Sequence, residues 1–301
     1  MKKKNVLSLF DGMSCCQLAL KKAKIDIDNY YASEVESGPI SVAQHNFPKT
    51  IHLGDVRNIN SNYIEKVFLI AAGSPCQGFS MSGLRKGMVT VENIEVTTLK
   101  QYLKLKKQKF QFDGQSYLFW EFIRLLKELK PKYFLLENVR MDKKWEKIIT
   151  DVLQVKPIKI NSNLMSAQNR ERLYWTNIPG VSQPKDQKIL LEDIIPDATS
   201  IGSRGVWSKV DKKYISRVTA RQDGKANCVV TTRTSTNQLI FSDGTVRYYT
   251  PEEAEMLQTL PKNYTKVKGI SMSKRYKMIG NGWTIKVATH ILKNIKKDLV
   301  K

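Results

Sequence analysis

Two apolar runs, Val67-Phe68-Leu69-Ile70-Ala71-Ala72 and Tyr133-Phe134-Leu135-Leu136, constrain the fold more than any other feature of the chain. Each is too short for a helix and lacks the apolar–polar alternation of a strand with one wet face, so each reads as a buried strand. Asn5–Phe10, Asn29–Ala32 and Thr50–Leu53 complete a set of five strand segments, with Val67–Ala71 and Tyr133–Glu137 as the fourth and fifth. Helical pattern lies between them. Over Ser116–Lys130 the residues Leu118, Phe119, Phe122, Ile123, Leu125, Leu126 and Leu129 form one wide stripe that Pro131 stops. Trp145–Leu153 reads as another helix. Alternation of this kind predicts an open α/β sheet.

The texture changes after a β-rich stretch at Asn163–Pro179. Residues 180–246 are rich in Ser, Thr, Lys, Arg, Gly and Asn, with short β-like runs, and predict a smaller β-rich domain. Thr250-Pro251-Glu252-Glu253 then has the makings of a helix start: a cap, a proline at the first position, and acid in the first turn. Thr284–Leu299 is amphipathic through Ile285, Ala288, Ile291, Leu292, Ile295 and Leu299. An insertion at 87–114 carries Lys100, Lys104, Lys106, Lys107 and Lys109, as a solvated excursion or a nucleic-acid contact.

Charge narrows the choice of partner. Fifty Lys and Arg against 28 Asp and Glu leave a formal charge of +22, which favours a polyanion through counterion release. No apolar stretch is long enough to span a membrane. Four cysteines without metal-type spacing indicate free thiols in a reducing, cytoplasmic setting, and three scattered histidines suggest no metal site.

Chemistry-bearing residues fall at the strand ends, where parallel sheets place their sites. Asp11-Gly12 follows the first strand, Glu34 the second and Asp55 the third. Acids in this order suit a cofactor containing adenosine, whether NAD or S-adenosylmethionine. Cys76, after Pro75, follows the fourth strand; alone it would be either a buried filler or a nucleophile. Glu137 closes the fifth, where a raised pKa would let it donate a proton.

These stretches together resemble the DNA (cytosine-5)-methyltransferases. The motifs are "FDGMSCC" at 10–16, "SEV" at 33–35, "GDV" at 54–56, "GSPCQGFS" at 73–80, "ENVR" at 137–140, "QNRER" at 168–172, "RYYTPEEAEMLQTLP" at 247–261 and "GNGWT" at 280–284. With "VVTTRTS" at 229–235 they look closest to the de novo-type branch and its phage and bacterial relatives. The resemblance implies a Rossmann-like methyltransferase sheet with helices on both faces and a β-rich target-recognition domain. By it, residues 1–179 are the first catalytic segment, 180–268 the target-recognition domain, and 269–301 a segment returning to the catalytic domain.

The resemblance further implies S-adenosyl-L-methionine as cofactor and double-stranded DNA as partner, with or without a cognate restriction endonuclease. Cys76 becomes the nucleophile on cytosine C6, Glu137 the group at N3, and Arg172 with Arg170 the orienting pair. Phe10 would stack on adenine, Glu34 hold the ribose and Asp55 the adenine amine. Asp11, Gly12, Met13, Ser14 and Cys15, with Asn281 and Trp283, would hold the methionine end, and Val56 and Pro75 belong to the same wall. Gln77, Ser80, Gln168 and Arg233 are the expected DNA contacts, Arg233 reading a guanine edge or touching phosphate. Three rival readings stay open: an RNA methyltransferase, a DNA binder without turnover, and a dinucleotide oxidoreductase. The last accounts for the first 60 residues only.

Overall fold

The structure, a computed structural model, describes residues 3–79, 86–208, 212–234 and 238–300. Its strands are β1 (Asn5–Leu9), β2 (Tyr30–Ser33), β3 (Ile51–His52), β4 (Val67–Gly73), β5 (Val89–Thr90), β6 (Phe112–Asp113), β7 (Tyr133–Val139), β8 (Ile158–Asn161), β9 (Glu171–Thr176), β10 (Ala198–Ser208), β11 (Lys213–Ala220), β12 (Gln238–Phe241) and β13 (Val246–Tyr248). The helices are α1 (Cys15–Lys22), α2 (Ser37–Asn46), α3 (Leu99–Lys107), α4 (Phe119–Leu129), α5 (Lys143–Leu153), α6 (Pro251–Leu257), α7 (Met272–Asn281) and α8 (Ile285–Val300).

Seven strands form the main sheet in the order β3-β2-β1-β4-β7-β9-β8. The first five are parallel, and β9 and β8 close the far edge antiparallel. Side-chain alternation divides the core in two. Val6, Leu69, Ala71 and Leu135 face α1 and α8, where Ala19, Leu20, Ile291 and Leu292 are buried. Leu7, Leu9, Ile70, Ala72 and Leu136 face the other layer, where Phe119, Phe122, Trp145 and Ile149 cover them. The mostly parallel sheet with helices on both faces is therefore as expected. A separate four-stranded antiparallel sheet, β11-β10-β12-β13, accompanies it.

Local signals account for several boundaries. Thr250 and Glu253 form a reciprocal capping box at α6, with Pro251 in the first turn. The Ser116–Lys130 stripe divides into a 3-10 turn at Ser116–Leu118 and then α4, which Lys130 ends in the left-handed conformation. Helix α7 has no clear signal in the sequence. Its inward face carries Arg275 beside Tyr276, Met278 and Ile279, and that charge hides the apolar stripe. Arg275 is neutralised inside by Glu252 and Glu255, at 2.8 and 3.0 Å.

The 87–114 insertion is folded onto the core. Val89 and Thr90 pair with Asp113 and Phe112, Trp120 Nε1 donates to Val96 O, and Tyr102 is buried. Lys100, Lys104 and Lys107 share the outward face of α3, with no ion-pair partner among the described residues. Gly87 opens the segment at φ +71, and a Cβ there would overlap the Trp145 indole. Gly87→Ala must both strain the backbone and displace a buried tryptophan, so it should cost about 2–4 kcal/mol. A urea unfolding midpoint unchanged from wild type would refute this.

Candidate functional site

Chain order runs outward from β1 to β3, then returns across β1 to β4 and β7. The sheet thus has its switch point between β1 and β4, where open α/β sheets bind ligands beyond the carboxyl ends of the strands. A cavity of about 640 Å³ lies there. Phe10, Glu34, Asp55, Cys76, Glu137, Arg172 and Trp283 all line it.

The turn after β1 follows an uncommon path. Phe10, Gly12 and Ser14 all have positive φ, at 56°, 57° and 62°. Strain of about 1–2 kcal/mol for each non-glycine residue is offset by a dense set of hydrogen bonds. Asp11 is buried beneath the turn, accepting from Ser14 Oγ at 2.5 Å and Tyr30 Oη at 2.6 Å. Burial pushes its carboxyl pKa up, against those hydrogen bonds. Glu34 braces the turn from outside, taking the Gly12 N–H at 2.9 Å on one oxygen and the Val35 and Glu36 N–H groups on the other. Met13 and Cys15 point inward, with the Met13 carbonyl accepting from Tyr264 Oη at 2.7 Å. Burial drives the Cys15 thiol up to about 12, so it stays protonated. Tyr30 and Tyr264 carry no motif; only their position at the end of the turn's hydrogen bonds reveals them.

Asp55 and Val56 also line the cavity. Asp55 accepts from the Arg57 backbone N–H and from its guanidinium, each at 2.9 Å, and that side-chain bond holds its carboxyl below the usual range.

The loop after β4 is pinned on both sides. Asn138 donates to Ser74 Oγ at 3.0 Å, Gly78 N–H to Ser116 Oγ at 2.9 Å, and Phe79 N–H to the Cys76 carbonyl at 2.9 Å. Pro75 and Gln77 join Cys76 in the cavity wall. Ser80 lies outside the described residues.

Sheet register brings the acid and the arginine together. Glu137 is opposite Gly73 on β4 and Tyr174 on β9, while Arg172 is opposite Val139. Glu137 and Arg172 are therefore diagonal neighbours on one face, with Arg172 Nε 3.1 Å from Glu137 Oε1. The Trp283 indole also stands beside Glu137, and Gly73 makes room for it: a Cβ there would lie 2.9 Å from Trp283 Nε1. Burial raises the Glu137 pKa, opposed by Arg172, Arg170 and Trp283. Burial and then the Glu137 charge raise the Cys76 thiol, while both arginines pull it down.

Arg170 does something different from Arg172. Its buried guanidinium donates to the carbonyls of Val229, Gly280 and Gly282 at 3.0, 2.9 and 3.0 Å, and reaches Cys228 Sγ at 3.3 Å. Cys228 has no motif around it in the sequence; the two arginines beside it hold its thiol below the ordinary range despite burial. Gln168, expected on the DNA side, is fully buried, donating to Leu257 O and Gln258 Oε1 and accepting from Val229 N–H. Asn281 is an exposed member of the cavity wall. Arg233 lies outside the cavity, exposed, with its guanidinium over the rings of Tyr276 and Tyr248 at 5.4 and 5.8 Å. Among the described residues no cluster of His, Cys, Asp or Glu could hold a metal ion, and no helix is long and apolar enough to cross a membrane.

Known proteins share this architecture and sequence. The Dnmt2 methyltransferase of S. pombe superposes with a TM-score of 0.67 at 17% identity, covering 99% of each chain. A DNMT2 from Spodoptera frugiperda gives 0.64 at 20% identity, covering 98% of this chain and all of the other. In sequence, the type II methyltransferase M.NlaX of Neisseria lactamica is 24% identical over 327 residues, 98% of this chain and 96% of its own. The orphan methyltransferase M.Rho11sI of Bacillus phage rho11s is 29% identical over 187 residues, which span 58% of this chain but only 33% of the phage protein. The sequence profile of the C-5 cytosine-specific DNA methylases matches residues 4–110, 101–188 and 146–297. With that profile running almost end to end, and strand ends converging on one cavity, the chain belongs to the C-5 cytosine-specific DNA methylase family.

Proposed function

We propose that this chain transfers a methyl group from S-adenosylmethionine to C5 of a cytosine flipped out of duplex DNA, through a covalent bond between Cys76 and C6. The observation that carries the reading is the opening of Cys76 and the Glu137–Arg172 pair into one cavity with the strand-end acids Glu34 and Asp55.

The cavity suits an adenosine-bearing cofactor. Glu34 is held by three backbone N–H groups, and above Gly12 a Cβ would meet nothing within 4 Å, so a ligand can approach the backbone. Phe10 would lie against adenine, Glu34 take the ribose hydroxyls, and Asp55 the adenine amine. The turn through Asp11–Cys15 and the Asn281–Trp283 segment would hold the methionine end. When bound, the cofactor supplies an electrophilic methyl group.

A cytosine within a duplex is out of reach of a thiol set back in a cavity, so the base must leave the stack. Cys76 Sγ, once deprotonated, adds to C6. Glu137 meets the charge that develops on the ring by donating to N3, a task that favours a carboxyl whose pKa burial raises. Arg172 fixes that carboxyl and presents its remaining N–H groups to the base oxygen. After C5 is methylated, loss of the C5 proton and departure of the Cys76 thiolate restore the aromatic ring. Arg170 supports this set from behind through the 280–282 turn.

We assign target recognition to the part of the chain that carries the four-stranded sheet, within 180–268, with Arg233 as the base or phosphate contact. The charge of +22 would hold the duplex electrostatically.

Incubation with methyl-labelled S-adenosylmethionine and duplex DNA should label cytosine C5, and Cys76→Ser should lower the rate by about a thousandfold or more. Label on tRNA but not on duplex would replace the substrate, and undiminished transfer by the variant would sink the role of Cys76. The coupling of thiol and acid has its own signature. Glu137→Gln removes one of the causes that raise the Cys76 thiol, so its ionisation should move to lower pH. Iodoacetamide alkylation of the Cys76 peptide against pH, read by mass spectrometry, measures this; an unmoved or rising midpoint contradicts it.

A further inference from the structure

Among the strand ends that line the cavity, the one bearing Asp55 has the least support from the sheet. β3 has two residues and lies at the sheet edge, pairing Tyr31 with Ile51 and Ala32 with His52. Just beyond it, Leu53 N–H donates to Ala32 O at 2.8 Å and Ser33 Oγ to Gly54 O at 2.7 Å. The chain then leaves the sheet for a single 3-10 turn at Val56–Asn58. The sheet therefore holds the chain as far as Gly54, and the turn that follows needs other partners to keep a fixed position.

Those partners come from the insertion and from α4. Glu121 is fully buried on α4 and takes three donors: Tyr102 Oη at 2.5 Å, Lys106 Nζ at 2.5 Å and Arg124 Nε at 2.6 Å. Both cations reach onward to the turn. Lys106 Nζ donates to the Arg57 carbonyl at 3.0 Å, and Arg124 Nη2 to the Val56 carbonyl at 3.2 Å. Two consecutive carbonyls beside Asp55 are thus held by two cations that share one buried carboxylate. A buried carboxylate with its cations in place is costly to rearrange, because moving either partner leaves charge unpaired in the interior.

We propose that Glu121, Lys106 and Arg124 are positioning residues for the cofactor, and that helix α3 of the 87–114 insertion serves to fix the Asp55–Arg57 turn. The proposal rests on the reading that Asp55 contacts the adenosine end of the cofactor. On this view helix α3 contributes to cofactor affinity without lining the cavity. Removing one donor frees a carbonyl and lets the turn drift, which weakens the adenine contact and leaves Cys76 and Glu137 as they were.

Calorimetric titration of S-adenosylhomocysteine into the full chain tests this with three variants. Lys106→Met keeps the aliphatic stem and removes one arm. Glu121→Gln keeps the shape and loosens the Arg124 arm. Asp55→Asn tests the underlying reading. Each of the first two should weaken binding by about tenfold, the scale of one hydrogen bond to a charged donor. For Lys106→Met the KM for S-adenosylmethionine should rise likewise, with kcat at saturating cofactor and the KM for DNA within about twofold of wild type. If Asp55→Asn weakens the ligand and Lys106→Met does not, the positioning role falls while the reading stands. If Asp55→Asn has no effect, the reading itself falls. A loss of kcat and DNA affinity in parallel with cofactor affinity in Lys106→Met would show general damage and overturn the inference.

Discussion

One buried guanidinium holds the site together. Arg170 sits at the entry to β9 and donates to carbonyls of the 228–229 segment and of the 280–282 turn. Those two segments come from distant parts of the chain, and neither is tied into the main sheet. A lysine would have to reach all three carbonyls from a single nitrogen, whereas Arg170 divides them between Nη1 for Val229 and Nη2 for Gly280 and Gly282. Gly280 is part of the same arrangement: a Cβ there would overlap the Val230 carbonyl carbon, so only glycine lets the two segments meet. Once the turn is placed, Trp283 stands beside Glu137 and adds to the restraint that Arg172 exerts on the acid.

The electrostatics of the pocket follow from that enclosure. Glu137 is raised by burial and restrained by Arg172; Cys76 is raised by burial and by Glu137. Each group disfavours the charged form of the other. A thiol that stays protonated at rest is protected from alkylation and oxidation. A change at Glu137, such as a hydrogen bond that neutralises its charge, would lower the Cys76 thiol in turn.

Much of this is legible in the sequence, and the exceptions have physical reasons. Apolar runs with a polar residue at their end give away buried strands, so the residue pattern alone puts Glu34, Cys76 and Glu137 at strand ends. A strand end locates a residue but does not aim its side chain. Asp11 turns inward to Ser14 and Tyr30, whereas Glu34 stays at the cavity wall. Gln168 and Arg172 belong to one short motif, yet one is a buried brace and the other faces the cavity. The difference arises because β9 begins only at Glu171, and the preceding backbone has no strand periodicity to read. Helices α3 and α7 are hidden because their buried faces include Tyr102 and Arg275, whose polar ends are satisfied by acids elsewhere in the chain. Composition cannot display pairing at that distance.

The reach of the Arg170 fork also sets an order on biosynthesis. A ribosome delivers the β1 turn, Cys76 and Glu137 long before it delivers residues 280–283. Until then Arg170 has no turn to hold, Glu137 lacks its indole partner, and the Met13 carbonyl waits for Tyr264, 251 positions downstream. A nascent or truncated chain would therefore carry the Cys76 loop without the assembled pocket around it. The pocket is complete only once the 280–283 turn has joined the strand ends.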